Sequence, residues 1–242
     1  MITLNYILWG YFIVYPIYIY LTHEQEKQSV IAQPEKLIGV YRVTMFHLWW
    51  PTLILLVLVY HGQIAMSEIG LQWQWDLANQ IGVAGLVLLV GYLLLSLKQL
   101  AENSEEHQKV RDQMACVRWL MPTTIKESRY FIWGVSLTAG ICEELLFRGY
   151  LMQQLAPYMP MYAVVIVSSL AFGLPHIYQG PMHVVRTTII GLVMALIYLA
   201  TDSLVIVMIL HALLDMYGGV VAYMVLSKQS DPNHLISGNK GI

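Results

Sequence analysis

From Tyr130 to Met152 the chain reads YFIWGVSLTAGICEELLFRGYLM. About 20 apolar residues cross a hydrocarbon core of roughly 30 Å as a helix, and this run is long enough. It nevertheless carries Glu143, Glu144 and Arg148 in its second half. It shows no period-2 alternation, which fits a helix satisfying its backbone within its own segment and not a barrel strand. Working outward, six more runs have the same character: Ile2 to Leu21, Tyr41 to Tyr60, Gln80 to Leu97, Met161 to Phe172, His183 to Ala200 and Ser203 to Leu226. The run from Met161 is short and ends in Gly173, Leu174 and Pro175. The reading is an all-α, polytopic transmembrane bundle of about seven spans. Composition agrees, since 57% of the chain is apolar and 12% is charged, against about 25% charged in soluble domains.

Three stretches follow: 1–128, N-terminal transmembrane helices with an amphipathic cytoplasmic linker; 129–226, a helical core that holds the buried charges; and 227–242, a polar tail. Lysine and arginine fall between the first and second spans (Lys27, Lys36, Arg42), between the third and fourth (Lys98 to Arg129) and after the last (Lys228, Lys240). The loops His61 to Asn79 and Gln153 to Pro160 have none. That asymmetry predicts a multi-pass cell-membrane protein with its N-terminus outside and its C-terminus in the cytoplasm. The first run lacks a basic leader and a small-residue cleavage site, so it is read as a retained helix. Ala101 to Lys126 mixes charges with Met114, Val117, Leu120 and Met121, the pattern of an interfacial helix. A net charge of -2 and a pI near 6.4 offer no basic surface for nucleic acid. Cys116 and Cys142 make neither a disulfide framework nor a Cys/His zinc pattern.

Charged residues inside the last four runs are the informative ones. An Asp, Lys or Arg at the centre of a spanning helix costs about 2.5 to 3.5 kcal/mol, so Glu143, Glu144, Arg148, His176, His211 and Asp215 must meet one another or water. Glu144 and Arg148 are i,i+4 on one helix face, within ion-pair reach, while Glu143 is turned about 100° away. Two adjacent carboxylates in a low-dielectric site do not both ionise easily, which suits one of them to general-base work. The competing reading is a buried salt-bridge knot that only holds helices together. His176 follows Pro175, whose ring breaks the helix and can aim the imidazole inward; the bland alternative is a histidine facing headgroups. His211 and Asp215 are again i,i+4, and otherwise read as an interhelical hydrogen bond.

In that order, Glu-Glu-x-x-x-Arg, Phe-x-x-x-His and His-x-x-x-Asp resemble the CAAX-protease and bacteriocin-processing (CPBP, also called Abi) intramembrane endopeptidases, similar to the Ras-converting prenyl-protein endopeptidase. The resemblance covers roughly Arg129 to Leu226; Met1 to Ser128 match only in being spans and loops. It implies a helical bundle enclosing a water-filled cavity, and hydrolysis of a membrane-associated peptide or protein. It further implies that Glu143 is the base, that His176 helps activate water, that His211 and Asp215 face the oxyanion, and that Glu144 with Arg148 orients the site. Asp215 stands where the prenyl-protein enzymes typically carry Asn, which donates a hydrogen bond; an ionised Asp215 would repel an oxyanion, so Asp215 would either need a proton or serve instead by orienting His211. Glu143, His176, His211 and Asp215 also form a two-imidazole, carboxylate-rich donor set of the kind that binds zinc. Spacing across three helices does not decide between the two, and the resemblance to a glutamate-dependent mechanism favours a site with no cofactor. The expected partners are a peptide or protein substrate and the lipid bilayer, with no nucleic acid, and the oligomeric state is left open. Two other classes stay open: a proton-coupled transporter, since buried Glu, His and Arg also build relays, and a non-catalytic immunity or binding member of the same fold.

Other motifs read more plainly. His23-Glu24-Gln25-Glu26-Lys27 approaches HExxH, but Lys27 replaces the second histidine in what reads as a charged loop. Ser136 reads as back-bonded within its helix and Cys142 as a small core side chain. Trp49, Trp50, Trp73 and Trp75 read as interfacial anchors. Counting about 1.5 Å per residue, Glu143 lies about 21 Å from Arg129 and His211 about 12 Å from Ser203, which puts both in the outer half, while His176 comes out nearer the cytoplasm. Either the fourth helix starts before the hydrocarbon, or the fifth is tilted or shifted.

Overall fold

A computed structural model describes residues 2–227; the predicted tail from Lys228 to Ile242 lies outside the described residues. Seven helices are long and apolar enough to cross a membrane, and with one short helix they are numbered α1 Ile2–Ala32, α2 Leu37–Tyr60, α3 Leu77–Glu102, α4 Ser104–Gln113, α5 Ile125–Leu155, α6 Met161–Gly173, α7 Pro181–Thr201 and α8 Leu204–Leu226. No strand occurs among the described residues. The seven expected runs are all present, each extended at one or both ends except the last.

Two extensions correct the sequence reading. His23 to Lys27 is not a loop: α1 continues to Ala32, its polar last turns held by local pairs such as Lys27 to Glu24 at 3.6 Å. A helix already nucleated in lipid adds a residue for each further hydrogen bond, so polar residues extend it readily. The linker helix, by contrast, is confined to Ser104–Gln113, started by the Asn103 cap on the Glu105 amide. Val110 and Met114 beside it pack against Leu100, Val221 and Val225, so its apolar side meets α8.

Caps place the other ends. Asp76 accepts from the Asn79 amide at 2.8 Å, and the Asn79 side chain donates to Thr201 O at 2.9 Å, tying the start of α3 to the end of α7. Thr124 and Glu127 form a capping box, which starts α5 five residues before Tyr130. Inside α5 the turns widen to π geometry at Phe131–Val135 and Leu145–Leu151; such turns rise less per residue and are frequent at functional sites. After Gly173 the chain tightens into a 3-10 turn, Leu174–Gln179. α5 thus starts before Tyr130, in line with the first of the two arrangements the depth count offered, and His176 sits on a tightened turn beyond α6.

α5 is the central element, packed on α2 and α8, while α6 pairs with α7, α3 lies on α8, and α1 covers the turn 174–179. Contact between α5 and α8 needs Gly140, where an added Cβ would lie 2.8 Å from both Cβ and N of Ala212. Close backbone approach through small residues is the membrane solution to helix packing. The main core joins Leu8, Leu55, Leu146, Phe147, Tyr150, Val164, Ala195 and Val207 from six of the spans. Trp49 and Trp50 are half-buried here, Trp49 donating to Thr138 Oγ1 at 3.2 Å, so they are packing residues and not the expected anchors; Trp73 and Trp75 are exposed. Ser136 bonds back to Phe131 O, as its place in the helix suggested.

Candidate active site

On α5, Glu144 is fully buried and Arg148 is 1% exposed. Arg148 Nη1 donates to Glu144 Oε1 at 2.9 Å, the contact that i,i+4 spacing demands, and Nη2 donates to Gly191 O at 2.9 Å. The guanidinium lies 4.2 Å over the Phe172 ring. A Cβ at position 191 would meet Phe172 at 2.9 Å and Arg148 Nη2 at 3.2 Å, so a bare backbone is what lets α7 offer that carbonyl. The ion pair is single-stranded: Glu144 Oε2 and Arg148 Nε have no hydrogen-bond partner.

Glu144 Oε1 has a second partner. His211 Nδ1, on α8, lies 2.7 Å from it, and because a carboxylate only accepts, the ring hydrogen belongs on Nδ1. That fixes the ring and turns Nε2 toward Glu143 Oε2 at 3.9 Å and Asp215 Oδ2 at 3.6 Å. Glu143, the neighbour pointing away from Arg148, keeps 16% of its side chain accessible, and Asp215 keeps 38%. One carboxylate is thus locked and neutralised while the other two stay partly accessible.

His176 enters from the 3-10 turn. Its Nδ1 lies 3.1 Å from Phe172 O, an arrangement that puts the hydrogen on Nδ1 and leaves Nε2 as a lone-pair nitrogen. Its ring centroid is 5.6 Å from that of Phe172, and the His211 ring is 5.8 Å from the same phenyl. No hydrogen bond joins His176 to Glu143 among the described residues. His211 thus joins Glu143, Glu144 and Asp215 across α5 and α8, and the Phe172 ring stands between Arg148, His211 and His176.

Sequence reasoning quoted Phe172 and missed its part. It carries Arg148 on its ring, stands edge-on to Phe147 at 5.4 Å and seats both imidazoles. Tyr178, stacked on His176 at 6.2 Å, was also missed, as was the Gly191 carbonyl. A signal for Tyr178 existed in its spacing of two from His176 on a tightened turn; for Gly191 there was none.

Of the residues that would hold zinc, His211 has one nitrogen engaged by Glu144 and His176 one by a backbone carbonyl, which leaves each ring a second nitrogen; among the described residues no three His, Cys, Asp or Glu side chains gather closely enough to hold a metal ion.

Residues 126–217 match the family model described as type II CAAX prenyl endopeptidase Rce1-like. This segment is similar to an Rce1-like domain. It runs from the first turn of α5 to Tyr217 in α8, so it contains Glu143, Glu144, Arg148, His176, His211 and Asp215 and leaves out α1 to α4. No curated protein and no solved structure matches the chain. The Rce1-like family is a peptidase family, and with seven apolar helices around the domain the chain is a multi-pass membrane protein.

Proposed function

We propose that this chain is an intramembrane endopeptidase that hydrolyses a peptide bond of a membrane-associated peptide or protein with water activated by Glu143 and His176. The observation that carries the reading is His211 held at 2.7 Å by Glu144 with its other nitrogen facing Glu143 and Asp215. A structural knot would bury every charge, whereas here Glu143 and Asp215 keep 16% and 38% of their side chains accessible and His176 keeps Nε2 free of the bond to Phe172 O.

In this mechanism Glu143 takes a proton from water while His176 Nε2 holds that water by a second hydrogen bond. The water oxygen bonds to the peptide carbonyl carbon, and the carbonyl oxygen gains the charge. In its doubly protonated form His211 donates its Nε2–H to that charge, and Asp215 holds the ring edge in place, which suits a carboxylate better than direct contact with an oxyanion. On collapse the C–N bond breaks, and the proton taken by Glu143 passes to the leaving amine. Glu144 and Arg148 touch no reacting atom; they fix His211. No step needs a metal.

The cell membrane is the proposed location, with the N-terminus outside and the C-terminus in the cytoplasm by the lysine and arginine count. For a probe, the family description supplies a farnesylated peptide ending in a CAAX sequence, joined by a pool of unprenylated hydrophobic peptides. Purified protein in micelles should release product peptides bearing one added water, and His176→Ala should release none while staying folded. Uncut peptides, with proton flux into liposomes, would instead establish a transporter.

A further inference from the structure

Ala78, Ile81, Gly82, Gly85, Leu86 and Leu89 follow the three-and-four spacing of a single helix face on α3. That face does not close on its neighbours: with Ile206 and Leu210 of α8 and the last turn of α7 it encloses a groove of about 480 Å³. Small residues make the room. At Gly82 an added Cβ would lie 2.5 Å from Ile206 Cδ1, so there the two helices touch, whereas at Gly85, one turn on, nothing stands within 4 Å of the Cβ position. The side chains lining the groove are apolar apart from Thr201, whose hydroxyl is engaged within its own helix by Ile197 O at 2.8 Å. The groove therefore offers water no partner, and because all three walls are spans it is continuous with the lipid-facing surface.

Its dimensions select the occupant. From Ala78 to Leu89 α3 rises about 16 Å, half of a roughly 30 Å hydrocarbon core, and the groove starts at the end of the span, so it has the depth of one leaflet. Spread over that length, 480 Å³ leaves roughly 30 Å² of cross-section, a channel about 6 Å wide. A helix with its side chains is about 10–12 Å across and would run on through both leaflets, so a second copy's span does not seat here, whereas a single hydrocarbon chain does. The mouth is acidic. Asp76 caps α3, exposed Asp202 follows Thr201 and accepts from Gln72 at 3.4 Å, and the Asn79 side chain bonds both Asp76 and Thr201 O, joining the two sides. No lysine or arginine lies between His61 and Asn79, so an ammonium group suits this mouth better than an anion. We propose that the groove binds one acyl chain of a phospholipid with an ammonium-bearing headgroup, the head lying beside Asp76 and Asp202. The proposal is independent of the peptidase reading, since α3 lies outside the Rce1-like match.

Gly85→Leu fills the groove from a position with open space and puts a better helix former there, so the variant should fold as wild type does. Gly91, which also has nothing within 4 Å of its Cβ position but takes no part in the lining, supplies the matched control on the same helix. Asp202 has a left-handed backbone, φ 48°, which Asn also accepts. Wild type, Gly85→Leu, Gly91→Leu and Asp202→Asn are stripped of lipid in micelles and given dioleoyl phosphatidylethanolamine or dioleoyl phosphatidylglycerol. Bound lipid is counted by native mass spectrometry, with the lipid-free unfolding midpoint of each protein. Wild type and Gly91→Leu should hold one phosphatidylethanolamine per chain in preference to phosphatidylglycerol. Gly85→Leu should hold it at least roughly tenfold more weakly with its midpoint not lowered, and Asp202→Asn should narrow the preference between the two headgroups. The proposal is wrong if Gly85→Leu retains phosphatidylethanolamine as wild type does, or if wild type holds phosphatidylglycerol as tightly. Displacement of the lipid from wild type by the farnesylated CAAX peptide would also overturn it, because the groove would then be a substrate subsite.

Discussion

Replacing Arg148 by Leu should be among the most damaging single changes in this chain, and replacing Glu144 by Leu along with it should undo much of the damage. Arg148 sits at 1% exposure with one 2.9 Å contact to Glu144, one 2.9 Å bond to Gly191 O and Phe172 at 4.2 Å. Removing one partner of a buried pair strands the other charge and costs about 3 to 5 kcal/mol; the Gly191 carbonyl, already accepting within its helix, adds little. Exchanging both partners for apolar side chains of similar volume is often neutral or stabilising. The pair here is imperfect, with Glu144 Oε2 and Arg148 Nε unpartnered, so Glu144→Leu/Arg148→Leu should lie within about 2 kcal/mol of wild type. It should nevertheless be inactive, because His211 loses the oxygen that orients it. Equilibrium unfolding of the four proteins of this cycle in mixed detergent micelles measures the coupling. Strictly additive losses, or a stable Arg148→Leu single variant, would refute the claim that the charges are buried and mutually dependent.

Further expectations concern packing and caps. Gly140→Val should push α5 from α8, since even a Cβ would lie 2.8 Å from Ala212; overpacking of this kind costs about 1 to 3 kcal/mol, and the accompanying shift of His211 from Glu144 should lower kcat at least tenfold. Gly39, with nothing near its Cβ position, should accept Ala without loss of activity. Asp76, outside the spans, is held below the usual carboxylate range by hydrogen bonds from the Asn79 amide and side chain. Its cap therefore contributes fully at neutral pH, and that contribution fades as pH falls from the unfolded-state carboxylate value through the lower folded one. Asp76→Asn should flatten this acid limb of the unfolding midpoint while leaving cleavage unchanged.

Local geometry was legible in the sequence and contact geometry was not. Glu144 and Arg148 had to meet because i,i+4 residues stack on any helix, and the apolar runs had to be helices because lipid leaves the backbone no other partner. That Glu144 Oε1 also takes His211 depends on α5 and α8 closing at Gly140 and Ala212, residues 72 positions apart in the chain. Membrane depth stayed open for a related reason: the Thr124 cap and the π turns of α5 change where the helix starts and how fast it rises. Trp49 and Trp50 were silent because an aromatic residue in an apolar run reads equally as an anchor or a wall, and only the neighbouring helix decides.

Everything in the mechanism runs through the carboxylate of Glu143. Substituting Gln keeps its shape and removes its basicity, so the rate at which Glu143→Gln protein hydrolyses the probe peptides, relative to wild type, is the measurement that matters. The expected result is loss of hydrolysis in a protein whose unfolding midpoint is preserved. Hydrolysis at the wild-type rate would contradict the account.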